Sequence, residues 1–280
     1  MNRIFLFLLV ILSLNAVAQE MNVMTYNIRY NNPEDGENVW SNRKEFVCQL
    51  IQFHEPDVFG LQEAMVDQVH DIAETLPQYS WVGVGRIDGK EEGEYSPVFF
   101  NAEKYKLLGS GNFWLANDCT KPSFGWDAAC IRVCTWTLLS ENHSKQKFMV
   151  FNTHFDHVGD VAREESAKLV IEKIKEINTK NLPIILTGDF NLFDDSAPIK
   201  TIKTELLDSK EISAQKPYGP EGTFNGFDFT NPLERRIDYI FVNDQVEVKK
   251  YAVLSDSKNL HYPSDHLPVF TEIRLKGDHY

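Results

Sequence analysis

Two short polar segments stand far apart in this chain of 280 residues. Gly188-Asp189-Phe190-Asn191 follows an apolar run, and Ser264-Asp265-His266 lies near the C-terminal end. Each sets a carboxylate beside a second polar group at the end of an expected strand. Asn27, Glu63, His154 and Asp238 occupy four further endings of this kind. Carboxylates and amides offer hard oxygen ligands to a divalent cation. An imidazole beside a carboxylate can hold or move a proton near neutral pH. Converging on one phosphate, these groups have the chemistry for phosphoester hydrolysis.

Taken singly, each residue has a plainer reading. Asn27 is then a hydrogen-bonded strand residue, and Glu63 sits in a helix's first turn, where the dipole favours its charge. Asp189 and Asn191 make an ordinary turn, and His154 is a satisfied histidine at a strand end. Asp238 pairs with the arginines just before it, and Asp265-His266 opens a loop. Six such endings together are much harder to assign to chance.

The elements that must carry them follow from periodicity and punctuation. Ser41 is an expected N-cap, with Phe46, Val47, Leu50 and Ile51 on one helical face and Pro56 as the stop. Further helices are expected over 66–76, 160–178 and 196–203. β-Branched and aromatic runs predict strands over 21–30, 57–61, 80–84, 98–101, 106–108, 131–139, 147–153, 182–187, 236–242, 246–254 and 269–275. Helices alternate with strands, yet several strands adjoin in sequence, which predicts an α/β fold with antiparallel pairing. Leu182 to Leu186 shows no polar alternation, as expected of a core strand covered on both faces. Two packed sheets with helices outside, a four-layer sandwich, satisfy this.

Residues 1–18 read as a signal peptide: Arg3, an apolar stretch from Ile4 to Leu14, and Ala16-Val17-Ala18 at the cut. The apolar stretch is short for a membrane span. A retained anchor is the alternative. Residues 19–280 then form one domain, expected as a monomer that is exported, periplasmic or extracellular, without stable membrane insertion. The formal net charge of -13 argues against an extended grip on duplex nucleic acid, which draws most of its affinity from phosphate neutralisation. Cys119 and Cys130 flank a loop that a disulfide could close, while Cys48 reads as a small buried residue. The cysteine spacings match no zinc signature. Phe113, Trp114, Phe124, Trp126 and Trp136 read as packing residues, with stacking on a base or sugar as the alternative.

The chain resembles the endonuclease/exonuclease/phosphatase superfamily, whose fold is deoxyribonuclease I-like. The resemblance rests on Met24-Thr25-Tyr26-Asn27-Ile28, Leu61-Gln62-Glu63, Asn152-Thr153-His154, Thr187 to Asn191, Arg236-Ile237-Asp238-Tyr239-Ile240 and Ser264-Asp265-His266, in the family's order. It also resembles an exported branch of that family through Trp40-Ser41-Asn42-Arg43, Ser96 to Phe100 and His154 to Gly159. The resemblance implies Mg2+ or Mn2+ held by Glu63 with Asn27 beside it, and Asp265 on the same ion or a second one. It implies that His266 takes a proton from water with Asp238 orienting it, although Asp189 is an equal candidate for that task. Asp189 and Asn191 would position the nucleophile or phosphate. His154 would donate to a phosphate oxygen or protonate the leaving group. Arg132 and His157 are candidate substrate contacts. The expected substrate is a phosphoester, and a diester is favoured by analogy. A non-catalytic phosphate- or glycan-binding module on the same fold is the alternative. Arg29 stands where several apurinic endonucleases carry an acid, which argues against DNA repair.

Overall fold

Side-chain alternation decides the layers. In strand β1 (Glu20–Asn27), Val23 enters one apolar cluster, whereas Met24 and Tyr26 enter another. In the strand spanning Ile184–Asp189, Ile185 shares the cluster of Val23, while Ile184 and Leu186 point to a third. A period of two sends successive residues to opposite faces. Each sheet is therefore apolar on both faces and must be covered on both.

The computed structural model describes residues 20–276. The expected signal peptide lies outside them. After β1 come α1 (Trp40–His54), β2 (Val58–Gln62), α2 (Val66–Thr75), β3 (Tyr79–Val82), β4 (Val98–Asn101), β5 (Tyr105–Trp114), β6 (Val133–Glu141) and β7 (Lys147–His154). The second half runs α3 (Asp160–Ile177), β8 (Ile184–Asp189), α4 (Ala197–Ile202), β9 (Leu207–Asp208), α5 (Ser209–Ile212), β10 (Asp238–Val242), β11 (Val246–Val253) and β12 (Val269–Leu275). Two six-stranded mixed sheets result, ordered β11-β12-β1-β2-β4-β3 and β5-β6-β7-β8-β10-β9. Helices α1 and α2 cover the first, and α3 and α4 cover the second. The four-layer α/β sandwich expected from the sequence is the observed fold. Among the described residues no helix is long and apolar enough to cross a membrane.

The sheets meet closely beneath the site. A Cβ on Gly60 would lie 2.3 Å from Asn152 Oδ1 and 2.5 Å from Thr187 Oγ1. Only glycine leaves that room. Into it fits a buried amide: Asn152 Oδ1 accepts from Gln62 Nε2 at 2.6 Å and Thr187 Oγ1 at 2.9 Å, and its Nδ2 donates to the Leu61 and Pro97 carbonyls. Asn152 thus ties β7 and β8 to β2 across the sandwich, with its polar groups satisfied.

Helix α1 departs from expectation at its start. Ser41 is not its N-cap: the helix begins at Trp40 and Val39 offers no capping side chain. A missing cap costs about 1 kcal/mol, whereas burying Val47, Leu50 and Ile51 stabilises by about 1.5–3 kcal/mol each, so packing outweighs capping. At its other end Glu55 turns left-handed (φ 46°) just before Pro56. Strand β5 runs to Trp114, well past the expected 106–108, with a register shift between Leu107 and Gly109. Neither β9 nor α5 was expected. All four cysteines are free thiols, so no disulfide closes the loop between Cys119 and Cys130.

Candidate active site

Parallel pairing brings the polar strand ends to one edge. Strands β1 and β2 run parallel, with Asn27 beside Gln62 and Glu63 following at once. Strands β7 and β8 run parallel in the other sheet, with His154 beside Asp189. Strand β10 is antiparallel to β8, so its first residue, Asp238, pairs with the last residue of β8, Asp189. Ligand sites commonly lie where the carboxyl ends of such strands gather.

Three of the residues just past those ends hold left-handed backbone: Arg29 (φ 58°), Glu63 (φ 60°) and Asn191 (φ 52°). For Arg and Glu this is a strained conformation, of the kind that collects at functional sites. At Glu63 it turns the carboxylate back over β1. There Oε1 accepts from Asn27 Nδ2 at 3.1 Å and Oε2 from the Tyr30 N–H at 3.2 Å. At Asn191 it lets the backbone N–H reach Asp189 Oδ1 at 2.9 Å.

Asp189 stands at the centre. Its Oδ2 accepts from Asn27 Nδ2 at 2.9 Å, lies 3.5 Å from His154 Nε2 and lies 3.7 Å from His266 Nε2. The other nitrogen of His266, Nδ1, is 2.9 Å from Asp238 Oδ2. Burial and the neighbouring Asp238 carboxylate push the Asp189 carboxyl up to about 7. Burial alone would strip the proton from His266. The carboxylates of Asp238 and Asp189 outweigh it and hold this imidazole well above its ordinary value. Asp238 is free for that task because Arg236 is engaged elsewhere, in a buried fork to Asp208 at 2.6 and 3.1 Å.

His154 goes the other way. Burial and the field of Arg132 hold it well below its usual value, so it is neutral. Its tautomer follows from its neighbour. Asn191 Nδ2 donates to the Phe155 carbonyl at 3.1 Å, which fixes the amide orientation, and the same NH2 lies 3.1 Å from His154 Nε2. Nε2 must then accept, which leaves the proton on Nδ1. That N–H is buried without a hydrogen-bond partner, 4.0 Å from Glu94 Oε2.

A cavity of about 620 Å³ opens on this cluster. Of the residues singled out in the sequence, Glu63, His154, Asp189, Asn191, Asp265, His266, Arg132 and His157 line it. Asp238 lies behind His266, and Asn27 beneath Glu63 and Asp189. Asn27 departs from the ligand geometry expected of it. It presents its NH2 to the two acids, and its carbonyl oxygen accepts the Arg29 N–H at 3.0 Å. It bridges carboxylates rather than offering an oxygen to the cavity.

Glu63 and Asp265 fit a divalent cation by donor chemistry. Asp265 is raised by burial and by the nearby Glu63 charge, only partly offset by His266, and a cation placed between such carboxylates relieves both effects. Hard oxygens of this kind suit Mg2+ or Mn2+. A second acid-rich group, Cys130, Asp156 and His157, lies at the cavity's side. Four backbone N–H groups, of Ala129, Cys130, Val158 and Gly159, already occupy the Asp156 carboxylate, and the Arg132 guanidinium is 3.2 Å from His157 Nδ1.

The sequence did not point to Arg86, Glu94, Phe193, Phe224 or Arg235, all of which line the cavity. The only sequence signal is the irregular, charge-rich stretch between β3 and β4 that holds Arg86 and Glu94. The aromatic residues expected to pack do so at Phe113 and Trp114, which are buried. The aromatic rings at the cavity are instead Tyr30, the half-exposed Phe193, and Phe224, which meets His266 edge-on at 5.1 Å.

A model of the Endonuclease/Exonuclease/phosphatase family matches residues 24–266. The chain is similar to the mannosyl-6-phosphatase of Bacteroides thetaiotaomicron VPI-5482, with 41% identity and a TM-score of 0.87 over 90% of this chain and 99% of that one. It is 28% identical over 176 residues to protein L388 of Acanthamoeba polyphaga mimivirus, covering 60% of this chain and 65% of that one, so it spans just under two thirds of that relative. It is 22% identical over 314 residues to RNA exonuclease NGL1 of Saccharomyces cerevisiae, covering 84% and 85%.

Proposed function

Because the chain belongs to the endonuclease/exonuclease/phosphatase family, and so to the phosphoester hydrolases, we propose that it is an exported, divalent-metal-dependent enzyme that hydrolyses a small phosphorylated sugar by attack of water. The observation that carries this reading is the Asp238–His266–Asp189 line, whose far end faces the cavity lined by Glu63 and Asp265.

In this reading Glu63 and Asp265 would hold the cation, with Asn27 and the Tyr30 N–H fixing Glu63. When bound there it would supply Lewis-acid polarisation of a phosphoryl oxygen. The division of proton work follows from two groups whose environments push their ionisation apart. Asp189, near 7, is poised to take a proton from the attacking water at neutral pH. His266, held charged by Asp238, offers its Nε2–H to a phosphate oxygen. Of the two candidates the sequence leaves open for taking the proton, this reading chooses Asp189 over His266. Asn191 and Asn27 hold Asp189 in place.

The substrate class rests on three supports. The cavity volume is that of a small-molecule site. The formal net charge of -13 disfavours a polyanionic polymer. The near-full-length likeness to a mannosyl-6-phosphatase favours a sugar monoester over the diester favoured from sequence. Cleavage of a nucleic-acid end is the second reading, favoured by the likeness to an RNA exonuclease. Mannose 6-phosphate, bis-p-nitrophenyl phosphate and a short RNA, each with Mg2+ and with EDTA, separate these readings. Turnover of the first that EDTA abolishes supports the proposal, and turnover of the RNA alone replaces it. Export is tested by N-terminal sequencing of the protein recovered outside the cytoplasm, with a start at Gln19 expected.

A further inference from the structure

Beside the hydrolytic centre lies a second cluster of charge, buried at Arg132 and Asp156 and partly exposed at Arg86 and Glu94. Arg86 forks onto Glu94 with both contacts at 2.7 Å. Arg132 lies across the same carboxylate, its Nη1 3.9 Å from Glu94 Oε2, and its Nε is 3.7 Å from Asp156 Oδ1. Both distances exceed a hydrogen bond. The Nε and Nη1 of Arg132 are accordingly buried donors without a hydrogen-bond partner, on a side chain only 5% exposed. The unpartnered Nδ1–H of His154 faces the same Glu94.

The loop that carries Arg86 and Glu94 is built, not slack. The Arg86 N–H donates to the Glu94 carbonyl at 3.1 Å, the Ile87 N–H to Glu92 at 3.0 Å, and Trp114 Nε1 to the Arg86 carbonyl at 2.8 Å. Gly93 supplies the left-handed turn just before Glu94 (φ 85°).

The charges balance: two guanidiniums, Arg86 and Arg132, meet two carboxylates, Glu94 and Asp156. A neutral cluster has little pull on a second anion. The unpartnered donors are sealed from solvent; what the cluster shows the cavity is the partly exposed Glu94 carboxylate, with lone pairs to spare, and the Arg86 guanidinium beside it, and a neutral group that both gives and takes hydrogen bonds there is a hydroxyl. The His154 ring sets the distance, with Nε2 turned to Asn191 and Asp189 and Nδ1 turned to Glu94. Glu94 and Asp189 thus lie at the two edges of one ring and line the same cavity.

We infer that Glu94, Arg86 and Arg132 form the hydroxyl-reading subsite of this enzyme, and that it selects a polyhydroxylated leaving group on the phosphate ester. The subsite rests on the phosphosugar reading above and gives that reading its specificity residues.

The experiment compares kcat/KM for mannose 6-phosphate with kcat/KM for p-nitrophenyl phosphate, whose leaving group carries no such hydroxyls, in the full chain and in Glu94→Gln and Arg86→Gln. Because both esters are assayed on one preparation, the ratio does not depend on the fraction folded. The ratio is expected to fall at least tenfold in each variant, chiefly through KM for the sugar ester. An unchanged ratio overturns the inference. Calorimetric binding of mannose 6-phosphate against inorganic phosphate provides a second readout that needs no turnover. Glu94→Gln is expected to weaken the first at least tenfold more than the second, and equal weakening counts against the subsite. If the unaltered protein cleaves neither ester, the phosphosugar reading fails by itself, and the binding comparison still decides the subsite.

Discussion

His266 Nδ1 lies 2.9 Å from Asp238 Oδ2, and the ring's far nitrogen faces Asp189 across 3.7 Å. Two carboxylates on paired strands thus hold one imidazole between them, with Asp238 and Asp189 opposite one another in the β10–β8 register. The arrangement makes His266 a fixed cation, and its loss should be felt in turnover far more than in folding.

Asp238→Asn keeps the shape of the carboxylate and removes its charge. With no anion on Nδ1, His266 loses the carboxylate that does most to hold its charge and the contact that fixes its ring. A drop in kcat of about 10³–10⁴-fold is expected, by analogy with other acid-oriented histidines. Steady-state kinetics alongside circular dichroism checks it; a near-normal rate in a folded variant shows that the pair does not act together.

The activity should depend on pH in a stated direction. Asp189 must be ionised to accept a proton, and its carboxyl sits at about 7. kcat/KM is therefore expected to rise with pH through the region of 7, as a property of the coupled Asp189–His266 pair. Raising Mg2+ favours the ionised acids and should shift that limb to lower pH. A profile flat from pH 5 to 8 at every Mg2+ concentration removes Asp189 as the base.

Removing the metal should remove the activity. EDTA is expected to abolish turnover and Mg2+ or Mn2+ to restore it. Glu63→Gln should raise the Mg2+ concentration for half-maximal rate at least tenfold, since a carboxamide carries no charge for the cation. An unchanged titration takes Glu63 out of the metal site.

Asp156 offers a stability test away from the chemistry. Burial opposes its ionisation, but the Gly159, Ala129, Val158 and Cys130 N–H donors outweigh burial and hold the carboxyl at about 2. A depressed carboxyl stabilises the fold above its unfolded value of about 3.9, and that stability is lost as pH falls toward 2. Urea denaturation should show Asp156→Asn clearly less stable at pH 7, with the gap narrowing at pH 3. A gap that widens on acidification contradicts this.

Gly60→Ala should destabilise the sandwich by about 1–3 kcal/mol, the usual cost of overpacking, because its methyl meets Asn152 and Thr187 at 2.3 and 2.5 Å. Urea midpoints measure it. A neutral effect means that the two sheets can separate locally without loss.

Much of this was legible in the sequence because strand ends announce themselves. β-Branched runs broken by Asn27, Glu63, His154 and Asp189 give both the strands and the polar tips, and the lack of polar alternation from Leu182 to Leu186, where β8 begins, foretells cover on both faces. The pairing of Asp238 with His266 followed from the family resemblance, not from the residues around Asp238. Two arginines precede it, and only the tertiary fork of Arg236 to Asp208 shows that it is free for His266. Strand β5 hid because Gly109, Ser110, Gly111 and Asn112 carry no strand pattern, yet the β6 ladder holds them. The two residues of β9 and four of α5 are too short for any period to register. Arg86 and Glu94 hid in a loop whose order comes from hydrogen bonds across it, not from its composition.

The most direct measurement is turnover by His266→Ala with Mg2+ on mannose 6-phosphate or p-nitrophenyl phosphate, with the melting temperature taken alongside. A loss of about 10²–10⁴-fold in kcat in a folded protein is the expected result. A loss of less than tenfold would contradict the catalytic centre described here.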